Sequence, residues 1–131
     1  MTGGAELDAG SFRDPDGRVF YSDGAVLRAL SERGARNWRA LAVSRLFGAA
    51  TAEGRLVATE EVAVGDDLQL LRTTRPAAVL RHERIPFVSY PYEWTPGMLR
   101  DAALLQLDLL LAALDEDLTL KDATPYNVQF R

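Results

Sequence analysis

The sequence predicts an α+β domain: an N-terminal hairpin and helices, a short antiparallel sheet and one long buried helix. Three observations carry this. Short extended runs are bounded by Asp, Pro and Gly turns, several segments repeat apolar residues at helical spacing, and one stretch, Ala102 to Leu114, is almost wholly apolar. A chain of 131 residues, 47% hydrophobic and 26% charged, suits one soluble domain with a real core. The expected organisation is a frayed tail over residues 1–10 and a single α+β domain over residues 11–131, forming the N-terminal part of a longer protein.

The elements follow in order. Phe12 and the run Arg18-Val19-Phe20-Tyr21 flank Asp14-Pro15-Asp16-Gly17, so a hairpin is expected over Phe12 to Tyr21. Ser22-Asp23-Gly24 then breaks the strand and caps a helix with Val26, Leu27 and Leu30 on one face, ending near Gly34. A second helix carries Trp38, Leu41, Ala42, Leu46 and Ala49 and closes at Gly54. Arg55 to Val62 reads as extended, before the acidic loop Gly65-Asp66-Asp67. Two strands are expected next, Ala78 to Arg81 and Pro86 to Tyr90, the latter kept at an edge by Pro86 and Pro91. Tyr90, Tyr92 and Trp94 should pack under the long helix with their polar ends wet.

Thr95-Pro96 starts that helix, the hydroxyl capping it and the proline filling the first helical position. Arg100, Asp101, Asp108 and Asp115 fall within an arc of about 100° at 3.6 residues per turn. The rest from Met98 to Leu114, Gln106 apart, is Leu, Ala or Met, so Leu105, Leu109 and Ala112 should be nearly inaccessible. So apolar a helix needs partners on several sides, from this chain or from another domain or subunit.

Composition bounds the chemistry. Lys+Arg 15 against Asp+Glu 19 leaves a net charge of -4, with no overall basic field for a nucleic-acid backbone. The absence of cysteine removes disulfides and thiolate chemistry, and the single histidine, His82, removes a multi-histidine zinc cage. Lysine occurs once, at Lys121. The opening residues lack a signal peptide's basic and apolar regions, and the longest apolar stretch, broken by Gln106 and Asp108, is too short for a bilayer. A cytoplasmic location without membrane contact is the expectation.

The last segment holds the site-like spacing. Asp122 and Asn127 stand four residues apart, followed by Val128-Gln129-Phe130 and preceded by the long helix. This is the D-x-x-x-x-N arrangement of a kinase catalytic loop, in which the Asp accepts the substrate proton and the Asn coordinates Mg²⁺. Asp122 is therefore the candidate catalytic residue and Asn127 the candidate metal ligand. Equally, both side chains can satisfy loop backbone groups. The order of elements resembles the first part of a protein-kinase-like fold, with Val88 to Trp94 connecting the lobes. The departures are chemical: no lysine precedes Lys121, Asp14 and Asp16 stand where glycines would cradle phosphate, and no Asp-Phe-Gly follows Asn127.

A second resemblance covers most of the chain from Ser11 onward. Ser11-Phe-Arg-Asp-Pro-Asp-Gly17, Glu83-Arg-Ile-Pro-Phe-Val-Ser-Tyr-Pro-Tyr-Glu-Trp94, Asp101-Ala-Ala-Leu-Leu105 and Leu120-Lys-Asp-Ala-Thr-Pro-Tyr-Asn-Val-Gln-Phe130 resemble the N-terminal region of nodulation-type proteins classed as class I S-adenosylmethionine-dependent methyltransferases. That resemblance implies an accessory region with no cofactor of its own, S-adenosylmethionine belonging to a methyltransferase domain further along the related full-length proteins. It implies as partner a downstream methyltransferase-type domain; self-association through Val128 to Phe130 and the long helix is the other expectation. The sequence supplies no strand, Gly-rich turn and helix for a dinucleotide-type pocket. The alternatives are a kinase-like small-molecule phosphotransferase fragment and a free-standing dimeric interaction protein.

Overall fold

The computed structural model describes residues 5–63 and 75–131, and the class is α+β as expected. These residues gather into two compact units, each built from two stretches of chain: residues 1–42 with 57–84, and residues 43–56 with 85–131.

The first unit is a five-stranded antiparallel sheet in the order β1-β2-β3-β5-β4: β1 Glu6–Leu7, β2 Gly17–Ser22, β3 Ala25–Leu30, β4 Thr59–Val62 and β5 Ala78–His82. One face carries Phe20, Leu27, Ala29 and Val79. On the other, Leu30, Ala78 and Leu80 pack with Ala35 and Trp38 of helix α1, Glu32–Ala42. The hairpin lies one turn later than the expected Phe12 to Tyr21. Ala9–Phe12 is a 3-10 turn, and β2 pairs with β3 around Asp23 and Gly24, with φ of 47° and 79°. Those positive φ values are what a two-residue hairpin with Asp-Gly requires. The helix expected from Val26 to Gly34 is therefore strand β3. Its residues face apolar groups on both sides of the sheet, and a run buried on two faces loses the alternation that marks a strand. Within the expected tail, β1 pairs Leu7 with Phe20, and the Asp8 carboxylate accepts from Gly10 N (2.7 Å) and Tyr21 Oη (2.8 Å).

A knot of polar contacts fixes the start of α1. The buried Asp16 carboxylate accepts from Ser31 Oγ (3.0 Å) and Arg33 Nε (2.9 Å), and its carbonyl accepts from Ser31 N (3.0 Å). Ser31 Oγ in turn accepts from Gly34 N (3.1 Å). Gly34, expected to end a helix, lies inside α1, and a Cβ there would stand 2.5 Å from Asp16 O.

The second unit opens with helix α2, Arg45–Ala52. The single expected helix through Trp38 and Ala49 is thus two, because Ser44 turns extended (ψ 151°) and accepts from Phe47 N (3.0 Å). Helix α3, Pro96–Leu114, is the longest element and starts as predicted, with Thr95 accepting from Met98 N. The unit has no strand over Pro86 to Tyr90. There Gln129 supplies one rung in place of a partner strand: its Oε1 accepts from Ser89 N (2.9 Å) and its Nε2 donates to Ser89 O (3.0 Å). Glu116 reaches back to the start of α2, accepting from Arg45 N (3.0 Å) and Leu46 N (2.7 Å). Those bonds to amides at the positive end of a helix hold its carboxyl below the usual range. The acidic loop Gly65-Asp66-Asp67 lies outside the described residues.

Candidate functional site

Helix α3 buries Ala102, Leu109 and Ala113, while Leu105 and Ala112, expected to be inaccessible with Leu109, are only half-buried. The helix is covered along one line instead of all round. Beneath its first half, Trp94 and Val128 pack with Ala102, and Phe130 sets its ring edge-on to Trp94 at 5.0 Å. Trp94 Nε1 donates to Ser89 Oγ (2.9 Å), so burial of the indole leaves no orphan donor. Tyr90 and Tyr92 do not follow Trp94 inward. They stay exposed and stack on each other at 5.5 Å and 4°, because the 3-10 turn Pro91–Glu93, with Glu93 accepting from Tyr90 N (2.8 Å), places them outside the core.

The D-x-x-x-x-N segment is held between these contacts. Gln106 Nε2 donates to Thr124 O (2.8 Å), and a 3-10 turn spans Pro125–Asn127. Asp122 and Asn127 are both exposed. The structure brings them together through the backbone: Asn127 Nδ2 donates to Asp122 O (2.8 Å). The amide thus closes its own loop, leaving Asn127 Oδ1 and the Asp122 carboxylate as the oxygens that could meet a cation. Among the described residues, no group of three or more His, Asp or Glu side chains is placed to hold a metal ion.

Two features of the first unit escaped the sequence. A cavity of about 440 Å³ is floored by Phe20, Ala29 and Leu30 and rimmed by Arg18, Glu32 and Arg75. On the sheet face that meets α1, Arg28 and His82 stand diagonally across β3 and β5, two residues apart in register. Buried Nε of Arg28 and Nε2 of His82 both lack a hydrogen-bond partner. Thr59 Oγ1 donates to Val57 O (3.1 Å), so its lone pair takes the proton of His82 Nδ1 at 2.9 Å. That leaves Nε2 as a bare acceptor facing the Arg28 charge. Burial, then Arg28, lowers the His82 pKa from 6.5 to about 4.

A depressed histidine pKa means the unfolded chain binds the proton more readily. Stability is therefore fully present above pH 6.5 and is lost as pH falls through about 4. With a single histidine the test is direct: the ring C2–H signal followed by NMR should show a midpoint near 4, and His82→Gln should flatten the loss of thermal stability over that range. A midpoint near 6.5 would contradict the buried neutral ring.

Among the described residues no helix is long and apolar enough to cross a membrane. No family model and no solved structure matches the chain. It is 39% identical over 122 residues to the nodulation protein NoeA of Rhizobium meliloti (strain 1021), an alignment covering 93% of this chain and 25% of that protein. The chain therefore spans about a quarter of the length of the curated relative it matches, and is similar to one part of a larger nodulation protein.

Proposed function

We propose that the chain is a non-catalytic N-terminal accessory module of a larger S-adenosylmethionine-dependent methyltransferase-type protein, acting by binding a partner domain. The observation that carries this reading is the match of nearly the whole chain to one quarter of a larger relative. The sheet supports it. Every described strand pair is antiparallel, whereas a dinucleotide-type methyl-donor site is built at the end of parallel strands joined by helices. The test is calorimetry on this chain with S-adenosylmethionine and with the remaining three quarters of the relative expressed separately. The methyl donor should bind only the larger part, and the two parts should bind each other. Micromolar methyl-donor binding by this chain, or indifference between the parts, overturns the reading.

A kinase-like phosphotransferase is the second reading, favoured by the order of elements. Five antiparallel strands with helices after the third, a connecting segment, a long helix and the Asp122 to Asn127 loop follow the order of the first part of a kinase-like fold. Arg28 on β3 is a cation with an unpartnered N–H on the strand where kinases place their lysine. Micromolar binding of Mg²⁺ with ATP, and turnover abolished by Asp122→Asn, would promote this reading over the first.

A further inference from the structure

Helix α3 has a second apolar line. Leu104, Leu107, Leu111 and Leu114 follow one another at steps of three, four and three residues, the spacing of a helix-packing seam. At about 100° per residue they lie opposite the buried line of Ala102, Leu109 and Ala113. All four leucines are more than half exposed, from 51% at Leu104 to 64% at Leu111. Unlike scattered surface leucines, these form one continuous stripe, which is what marks an interaction surface.

The flanks of the seam say what fits it. Asp101, Asp108 and Asp115 recur every seven residues along one side, all exposed, with Asp101 paired to Arg100 at 3.2 Å. On the other side stand Ala103 and Leu110. In an antiparallel pair with a second copy, the aspartate row would face itself. In a parallel pair each aspartate would be set against Ala103 or Leu110 of the other copy, which offer no counter-charge and remove water from the carboxylate. An anionic lipid surface is disfavoured by the same row. The C-terminal end of α3 adds to the negative field, since its last turn carries no basic residue to offset the negative end of the helix dipole.

We infer that this seam docks an amphipathic helix with a leucine-type apolar stripe and arginine or lysine along its flank, supplied by a further domain of the larger protein. The inference rests on the accessory-module reading for the origin of that helix, and on the seam alone for its chemistry. Contact area comes from the leucines, while the aspartates select the partner and set its register.

The test uses the full chain and two labelled synthetic helices of three heptads, both with leucine at the seam positions, one flanked by arginine and the other by glutamate. Fluorescence anisotropy should show the arginine helix binding at least about tenfold tighter, with the advantage shrinking as salt rises and screening shortens. The double variant Leu107→Asn, Leu111→Asn should lose at least about tenfold in affinity while keeping its circular dichroism melt, because both side chains are already exposed. Reversal of the acidic row, Asp108→Arg with Asp115→Arg, should turn the preference toward the glutamate helix. Equal binding of the two helices, no binding, or indifference to the leucine variants overturns the inference. So does a dimer of the chain alone in sedimentation equilibrium that the leucine variants dissolve, since the seam would then belong to a second copy. If the helices discriminate but the separately expressed remainder of the relative does not bind, the accessory reading fails and the docking chemistry stands. If the remainder binds regardless of Leu107 and Leu111, the reverse holds.

Discussion

Gly34→Ala should destabilise the protein by about 2–4 kcal/mol, although glycine to alanine inside a helix ordinarily gains close to 1 kcal/mol. The sign reverses because of one atom. A methyl at position 34 would stand 2.5 Å from the carbonyl oxygen of Asp16, and backbone cannot swing aside as a flexible side chain can. To make room, either α1 lifts from the sheet or Asp16 moves, and the second course pulls a buried carboxylate off Ser31 and Arg33. The Arg33 side chain is 63% exposed, so the ion pair itself contributes modestly. The larger cost is the carboxylate, 10% exposed, losing its hydrogen bonds without regaining water. Urea unfolding of the purified variant measures the loss directly. A midpoint equal to or above that of the parent would mean that α1 approaches the β2 turn less closely than described.

Leu109→Ala should cost about 2–5 kcal/mol by leaving a cavity under α3. Leu109 is 7% exposed, and it is the bulkiest of the three residues on the helix's buried line, between Ala102 and Ala113. Two alanines let the helix come close to what it packs on, so the leucine between them fills space that nothing adjacent can refill. The contrast with Leu111 makes the test sharp. At 64% exposed, Leu111→Ala should change stability by no more than about 0.5 kcal/mol, because a site already in water loses little transfer free energy. Equal losses at the two positions would mean that both faces of the helix are covered in solution.

The parts legible in the sequence were those with a local signal strong enough to stand alone. Thr95 and Pro96 fixed the start of α3, since a hydroxyl cap followed by proline at the first helical position suits few other structures. Ala78 to Arg81 read correctly as strand because it is a short apolar run bounded by a proline turn. Failure came where burial on two sides erased the pattern. Ala25 to Leu30 is apolar on both faces of the sheet and passes for a helical run, so the Asp23-Gly24 turn beside it reads as a helix cap. Pro86 to Tyr90 has a strand's composition, yet the backbone bonds of Ser89 go to a side chain forty residues away, which no local pattern encodes. Separation along the chain likewise hid the approach of Arg28 to His82, which depends on the register of β3 against β5. Spacing alone singles out Asp122 and Asn127 as candidates; that the amide turns to the Asp122 carbonyl goes with the 3-10 turn Pro125–Asn127.

The interleaving of the two units has a consequence for the order of folding. Residues 1–42 need residues 57–84 to complete their sheet, and α2, synthesised between them, waits for Glu116 some seventy residues later to satisfy its first amides. Chain leaving the ribosome can therefore close the sheet as soon as β5 emerges, but α2 has no settled partner until α3 and the residues beyond it have followed. Long-range closure of this kind is slow compared with pairing neighbouring strands. The second unit is thus the late-forming one, and no cut at a single peptide bond divides the protein into two pieces that each hold a whole core.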